Sequence, residues 1–232
     1  GSVIFRWGVR LNIKTKRIKI TFMIKAVIFD FDGVIHDTLE LIFNINKIIF
    51  PGITLAEYKD FLNGNFYENI KVTPETSEKF LELQNDKFKE LKIEREIKKE
   101  LIRMKNKFDL FIISSNSEKT LNNYFENNNI LHIFKEVLGM ESHKSKLVKF
   151  RQLMEKYNLN KNNCVFVTDT LGDIFEANKA NLRTIAVDYG YHERERLEQG
   201  SPIMILSDFK EILPAIEKLK APLIKPACRQ AG

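Results

Sequence analysis

The sequence predicts an α/β fold: a doubly wound, Rossmann-like parallel sheet with an inserted small α-helical cap. Two observations predict it. Short apolar runs of strand length alternate with segments of helical periodicity, the pattern of a parallel sheet covered on both faces. About eighty residues then separate the first strand from the second, far more than one crossover helix requires, so an insertion is expected there.

The first strand is Ala26-Val27-Ile28-Phe29, a continuous apolar run that ends in Asp-Phe-Asp-Gly and reads as a buried strand entering a turn. Further strands are expected at Leu110 to Ser114, Cys164 to Thr168, Thr184 to Val187 and Ile203 to Ile205. Helical stripes lie between them: Leu121, Tyr124 and Phe125; Leu147, Phe150, Leu153, Met154 and Tyr157; and Phe209, Ile212, Leu213 and Ile216. Within the insertion, Leu39 to Leu62 reads helical with a break at Pro51-Gly52. A second helix is capped by Thr73 with Pro74 at its first position, and Phe80, Leu83, Phe88 and Leu91 form its apolar face. The expected organisation is a leader over residues 1–22, a core from 23–38 and 96–217, a cap over 39–95 and a tail over 218–232. Gly1-Ser2 resembles a cleavage scar, and Met23 stands just before the first strand, so the leader reads as a tag or other non-native segment.

At 232 residues and 44% apolar side chains, the chain can bury one sizeable core plus a modest insertion. The net charge of +6 is unevenly placed, because residues 1–22 and 218–232 are basic and contain no acid. The remaining residues 23–217 are mildly acidic, which argues against nucleic acid as a partner. No uncharged apolar run is long enough for a membrane span, and Cys164 and Cys228 suggest neither a disulfide framework nor a zinc site. A cytoplasmic protein is expected, a monomer or weak homodimer with no nucleic-acid or membrane partner.

In a doubly wound sheet, ligands gather beyond the carboxyl ends of the strands. Asp30 and Asp32 follow the first strand, Ser115 and Asn116 follow the second, and Asp169 and Asp173 follow Cys164 to Thr168. Lys144 stands at the start of the helix before that last strand. Each residue alone has a plainer reading, as a turn, a helix cap or a surface charge, but their ordered appearance at strand ends points to a catalytic site. His36 has no evident partner, while His143 and His192 read as surface residues.

This set resembles the haloacid dehalogenase superfamily, in its phosphoglycolate-phosphatase and β-phosphoglucomutase-like subgroup. The first motif is Asp30-Phe31-Asp32-Gly33, the second ends in Ser115, and the last is Val167 to Asp173, with Thr168 where the family usually has glycine. For the third motif Lys144 and Lys146 compete, and the distance to Asp169 favours Lys144. The resemblance implies a phosphatase in which Asp30 is the nucleophile, Asp32 the acid and base, and Lys144 the balancing charge. Mg²⁺ would be held by Asp30, the Asp32 carbonyl and Asp169, with Asp173 in or beside that shell. Ser115 and the backbone amides around Gly33 and Asn116 would hold the phosphoryl oxygens. The loop Asn63-Gly64-Asn65 resembles the one with which family caps touch substrate.

The residue types fit this chemistry independently of the family. A phosphate dianion approaching an ionised carboxylate is repelled, so a cation is required, and Mg²⁺ suits a site of one or two carboxylates plus substrate and water oxygens. The expected substrate is a small phosphorylated metabolite. A phosphosugar mutase is the alternative within the superfamily, and a non-catalytic binding protein of the same fold is the alternative outside catalysis.

Overall fold

The computed structural model describes residues 23–69 and 73–219. The expected leader and nearly all of the expected tail lie outside these residues. A six-stranded sheet forms the centre, built from β1 (Ala26–Phe29), β2 (Asp109–Ile113), β3 (Phe134–Leu138), β4 (Cys164–Thr168), β5 (Arg183–Val187) and β6 (Met204–Leu206). Its order is β3-β2-β1-β4-β5-β6, and every neighbouring pair is parallel. The order reverses direction at β1, so the carboxyl ends of β1, β2 and β4 border the crevice where doubly wound folds bind ligands.

Side-chain alternation explains why β1 and β4 are apolar throughout. Val27, Phe29, Val165 and Val167 join the larger core on one face, while Ala26, Ile28, Cys164 and Phe166 join the core on the other. Both faces are covered, and each fully buried Val, Ile or Phe side chain among them contributes about 1.5–3 kcal/mol.

Between β1 and β2 run α1 (Leu39–Ile49), α2 (Leu55–Phe61), α3 (Phe66–Asn69), α4 (Pro74–Phe88) and α5 (Arg95–Lys105). The break at Pro51-Gly52 separates α1 from α2, and Thr73 caps α4 by accepting a hydrogen bond from the Thr76 amide at 3.2 Å. The remaining helices are α6 (Glu118–Asn127), α7 (Lys146–Lys156), α8 (Leu171–Lys179), α9 (Arg194–Glu198) and α10 (Ile212–Leu219). Helix α10 carries the fold slightly past residue 217, where the core was expected to end. The buried residues Leu101 and Met104 of α5, Leu121, Tyr124 and Phe125 of α6, and Ile212 and Ile216 of α10 join the larger core. On the opposite face, Phe150 and Leu153 of α7 and Ala177 of α8 complete the second.

Strand β3 is absent from the sequence-based expectation. It is an edge strand whose interior residues Lys135 and Glu136 are charged and ion-paired to Asp109 and Lys156. Charges of this kind blunt a sheet edge and also erase the apolar signature of the strand.

Candidate active site

At the end of β1 the chain turns through Asp30-Phe31-Asp32-Gly33. The Phe31 ring is fully buried, with its centroid 5.8 Å from Phe88, 4.8 Å from Tyr124 and 5.6 Å from Phe125. Asp30 and Asp32, on either side of this anchor, line a cavity instead. Gly33 has φ 68°, and a Cβ there would stand 1.9 Å from Asp169 Oδ2. Only glycine satisfies both the left-handed turn and this close approach.

The same cavity is lined by Ser115 and Asn116 after β2, by Asp169 and Asp173 after β4, and by Lys146 from the first turn of α7. Lys146 is 3% exposed, and its Nζ lies 2.7 Å from Asp30 Oδ2 and 2.6 Å from Asp173 Oδ2. The expectation for Lys144 is therefore corrected. Lys144 is exposed, precedes the N-cap Ser145, and has its ammonium 5.4 Å from the centre of the Tyr67 ring. Helical register supplied the missing signal, since Lys146 shares a face with Phe150 and Leu153, the apolar side of α7, and Lys144 does not.

Electrostatics divides the four carboxyls into distinct states. Burial drives Asp30 well above the ordinary carboxylate range; Lys146 opposes this, while Asp173 and Asp169 add to it. Burial also works against the charge on Asp173, but Lys146, together with hydrogen bonds from Lys146 and from Thr168 Oγ1 at 2.6 Å, holds its carboxyl below the usual range. Thr168, standing where the family usually has glycine, thus anchors Asp173. Asp169 is pushed up to about 8 by burial, despite a hydrogen bond from the Tyr191 amide to Oδ2 at 2.7 Å. Its Oδ1 is buried without a partner.

Asp32 occupies a different setting. Thr38 Oγ1 donates to its Oδ1 at 2.6 Å and Asn116 Nδ2 to its Oδ2 at 2.6 Å. Burial raises it to about 6, with the Thr38 bond and Lys146 restraining the rise. Since Thr38 gives its proton to Asp32, the Tyr191 hydroxyl donates to Thr38 Oγ1 at 2.8 Å. Asn116 is held on its other side by Gln84 of α4, whose Nε2 donates to Asn116 Oδ1 at 2.8 Å. Neither Gln84 nor Thr38 stands out in the sequence, because glutamine and threonine on helices usually face solvent or caps.

The loop Asn63-Gly64-Asn65 does not line the cavity, which corrects its expected substrate contact. It packs on the core instead. The Gly172 amide donates to the Leu62 carbonyl at 2.9 Å, Arg196 donates to Asn63 Oδ1 at 3.2 Å, and a Cβ at Gly172 would meet the Gly64 carbonyl oxygen at 2.2 Å. The neighbouring Phe66 and Tyr67 reach the cavity, where the Tyr67 hydroxyl donates to the Ser115 carbonyl at 2.7 Å.

Histidine placement also differs from expectation. His192 is not a surface residue but is 0% exposed, accepting from the Leu171 amide through Nδ1 at 3.0 Å and donating through Nε2 to the Lys59 carbonyl at 2.9 Å. Burial drops it to about 4. His36 pairs with the Tyr124 hydroxyl at 2.9 Å, and His143 is exposed as expected. Beneath the site, Lys149 is fully buried and donates to the carbonyls of Ser114 and Gly139, and burial lowers it to about 8.

Among the described residues, no three His, Cys, Asp or Glu side chains converge closely enough to hold a metal by themselves. The donor set nevertheless fits Mg²⁺, which takes one or two carboxylates and fills its remaining positions with substrate and water. The unpartnered Asp169 Oδ1, beside carboxyls whose charge burial disfavours, is the feature that a divalent ion would satisfy.

This fold and site define a doubly wound α/β protein with its polar residues gathered at the carboxyl edge of a parallel sheet. The chain belongs to the haloacid dehalogenase-like hydrolases, whose family pattern it matches over residues 27–187. It is 21% identical over 219 residues to a phosphoglycolate phosphatase from Vibrio vulnificus (strain YJ016), a match covering 83% of this chain and 96% of that one. Two solved structures share the fold. A haloacid dehalogenase-like family hydrolase from Streptococcus pneumoniae superposes with TM-score 0.70 at 20% identity, over 83% of this chain and 98% of that one. CbbY from Rhodobacter sphaeroides, solved in complex with phosphate, superposes with TM-score 0.68 at 19% identity, over 84% of this chain and 100% of that one.

Proposed function

We propose that this chain is a Mg²⁺-dependent phosphatase that hydrolyses a small phosphate monoester through an aspartyl phosphate on Asp30. One observation carries the reading: Asp30, Asp32 and Lys146 line a single cavity, with Lys146 against the first carboxyl and not the second. In this reading residues 39–95 form the cap over the core, and the enzyme is cytoplasmic, a monomer or weak homodimer without nucleic-acid or membrane partners. No helix among the described residues is long and apolar enough to cross a membrane.

Asp30, the Asp32 carbonyl and Asp169 would hold Mg²⁺, with Asp173 beside them. The ion supplies charge neutralisation for the phosphoryl group and keeps Asp30 ionised. Asp30 attacks phosphorus as the bond from phosphorus to the alcohol oxygen breaks, and Asp32 gives its proton to that oxygen. Asp32, now a carboxylate, takes a proton from water as the water oxygen attacks phosphorus and the bond to Asp30 breaks. Both carboxyls return to their starting states. An Asp32 carboxyl near 6 suits both steps, because it gains and loses a proton close to neutrality. Lys146 balances the charge of Asp30 and of the transferring group. Ser115 and the amides of the Gly33 and Asn116 turns surround the phosphoryl position. Hydrolysis is favoured over phosphosugar mutation because, among the described residues lining the cavity, Lys146 is the only cationic side chain, with no second cation beside it for a second phosphate.

The test is turnover of p-nitrophenyl phosphate. Activity should require Mg²⁺, vanish with EDTA and vanish in Asp30→Asn, and an acid quench should trap phosphate on the peptide containing Asp30. A folded, pure protein that releases no phosphate under these conditions refutes the proposal and favours the non-catalytic reading.

A further inference from the structure

Above Asp30 and Asp32 the cavity continues beneath α1 and α4, and its walls become apolar. Ile42, Phe50, Phe80 and Met140 line this part, and the whole cavity, the polar floor around Asp30, Lys146 and Asp169 included, has a volume of about 130 Å³. Lys146 is the only Lys, Arg or His among the described residues that line it, and both Asp30 and Asp173 hold its ammonium. A carboxylate or second phosphate placed against these walls would lose its water and meet no free counter-charge among the described residues.

One polar group there is unspent. Gln84 is 0% exposed and lines the cavity. Its orientation follows a chain of bonds: Asn116 donates its NH₂ to Asp32 Oδ2, so it offers Gln84 its oxygen, and Gln84 answers with its own NH₂. Gln84 Oε1 is then left buried with no hydrogen-bond partner. A buried acceptor of this kind is costly unless something else satisfies it. Asn46 and Thr76, also in the wall, already bond to the backbone of their own segments.

We infer that the substrate is the phosphate monoester of a small, uncharged, largely apolar alcohol, with one hydrogen-bond donor that meets Gln84 Oε1. The inference rests on the phosphatase reading and narrows it. It disfavours esters bearing a second anion, phosphoglycolate among them, although that substrate is in the name of the curated relative.

The test compares kcat/KM with Mg²⁺ for benzyl phosphate, 3-hydroxybenzyl phosphate, 2-phosphoglycolate and glycerol 3-phosphate. All four release alcohols, so their ratios report chiefly on the fit of the alcohol. Benzyl phosphate should exceed 2-phosphoglycolate and glycerol 3-phosphate by at least about tenfold. The added hydroxyl should bring up to about another tenfold, and Gln84→Leu should abolish that advantage. Phe80→Arg, which puts a cation in the wall, should shift the ratio toward 2-phosphoglycolate by about tenfold or more, and it tests the inference even if Gln84→Leu does not fold. The inference is overturned if 2-phosphoglycolate or glycerol 3-phosphate matches benzyl phosphate, if the wild type gains nothing from the hydroxyl, or if Phe80→Arg leaves the ratio unchanged. Release of phosphate from none of the four esters by folded protein overturns the phosphatase reading itself, and the inference with it.

Discussion

Replacing Lys146 with methionine keeps the aliphatic stem and removes only the ammonium, which makes it the sharpest probe of the site. The ammonium lies 2.7 Å from Asp30 and 2.6 Å from Asp173. At an effective dielectric near 20, each contact is an attraction of about 6 kcal/mol before desolvation is counted. Removing one partner from a buried ion pair costs about 3–5 kcal/mol net, because the charge left behind has no counterpart. If that loss falls on the transition state, where Asp30 must act as an anion against an anionic ester, kcat/KM drops by about 10²- to 10⁴-fold. Lys146→Arg should rescue little, since a planar guanidinium does not replace a compact ammonium between two carboxyls. Lys144→Met, at an exposed position, should stay within about threefold of wild type. The assay is steady-state hydrolysis of p-nitrophenyl phosphate at saturating Mg²⁺, with thermal unfolding to confirm that each variant folds. A folded Lys146→Met enzyme within tenfold of wild type, or a Lys144→Met enzyme carrying the loss, refutes the reasoning.

Gly33→Ala would place a methyl 1.9 Å from Asp169 Oδ2 at a φ of 68°, so the Asp169 carboxyl must move. A displacement of about 1 Å in such a site costs on the order of 10²-fold, visible in kcat and in the Mg²⁺ concentration for half-activation; unchanged values for both would contradict the geometry. His192, whose folded value near 4 lies below the ordinary 6.5, binds its proton more readily when unfolded. Its contribution to stability is therefore complete above pH 6.5 and lost as pH falls toward 4, by about 3 kcal/mol in all. Urea midpoints measured across that window should fall steeply for wild type and less so for His192→Gln, and parallel curves would show that another group is responsible. Tyr67→Phe removes the hydroxyl bond to the Ser115 carbonyl and should lower unfolding stability by about 1 kcal/mol, read from urea denaturation.

The parts of this molecule that announce themselves in sequence are those fixed by local chemistry. An apolar run followed by Asp-Phe-Asp-Gly marks β1 and its turn, since a buried parallel strand needs apolar side chains on both faces and the turn needs glycine. Thr73-Pro74 marks the start of α4 because cap and first-turn preferences are backbone effects. Other features depend on which elements meet. Strand β3 hides its identity behind Lys135 and Glu136, which serve as edge charges. The choice between Lys144 and Lys146 was decided by helical register, a signal that spacing to Asp169 alone does not carry. Gln84, Thr38 and Thr168 acquire their roles only because α4, the segment after the first turn and the end of β4 converge on Asp32 and Asp173. The loop Asn63 to Asn65 looked suited to touching substrate, yet its small residues permit a close backbone seam with Gly172 instead.

Lys149 deserves a place in any account of how this enzyme meets its anionic ligand. Its buried ammonium is bound only by carbonyl oxygens and gives up its proton near pH 8, whereas Lys146, clamped between two carboxylates, keeps its own far into the alkaline range. The floor beneath the proposed phosphoryl position therefore carries two positive charges in neutral solution and one in alkaline solution. An ester dianion would feel a weaker pull as the medium turns basic, so a rise in KM on the alkaline side would come from the floor, apart from any proton transfer at Asp32.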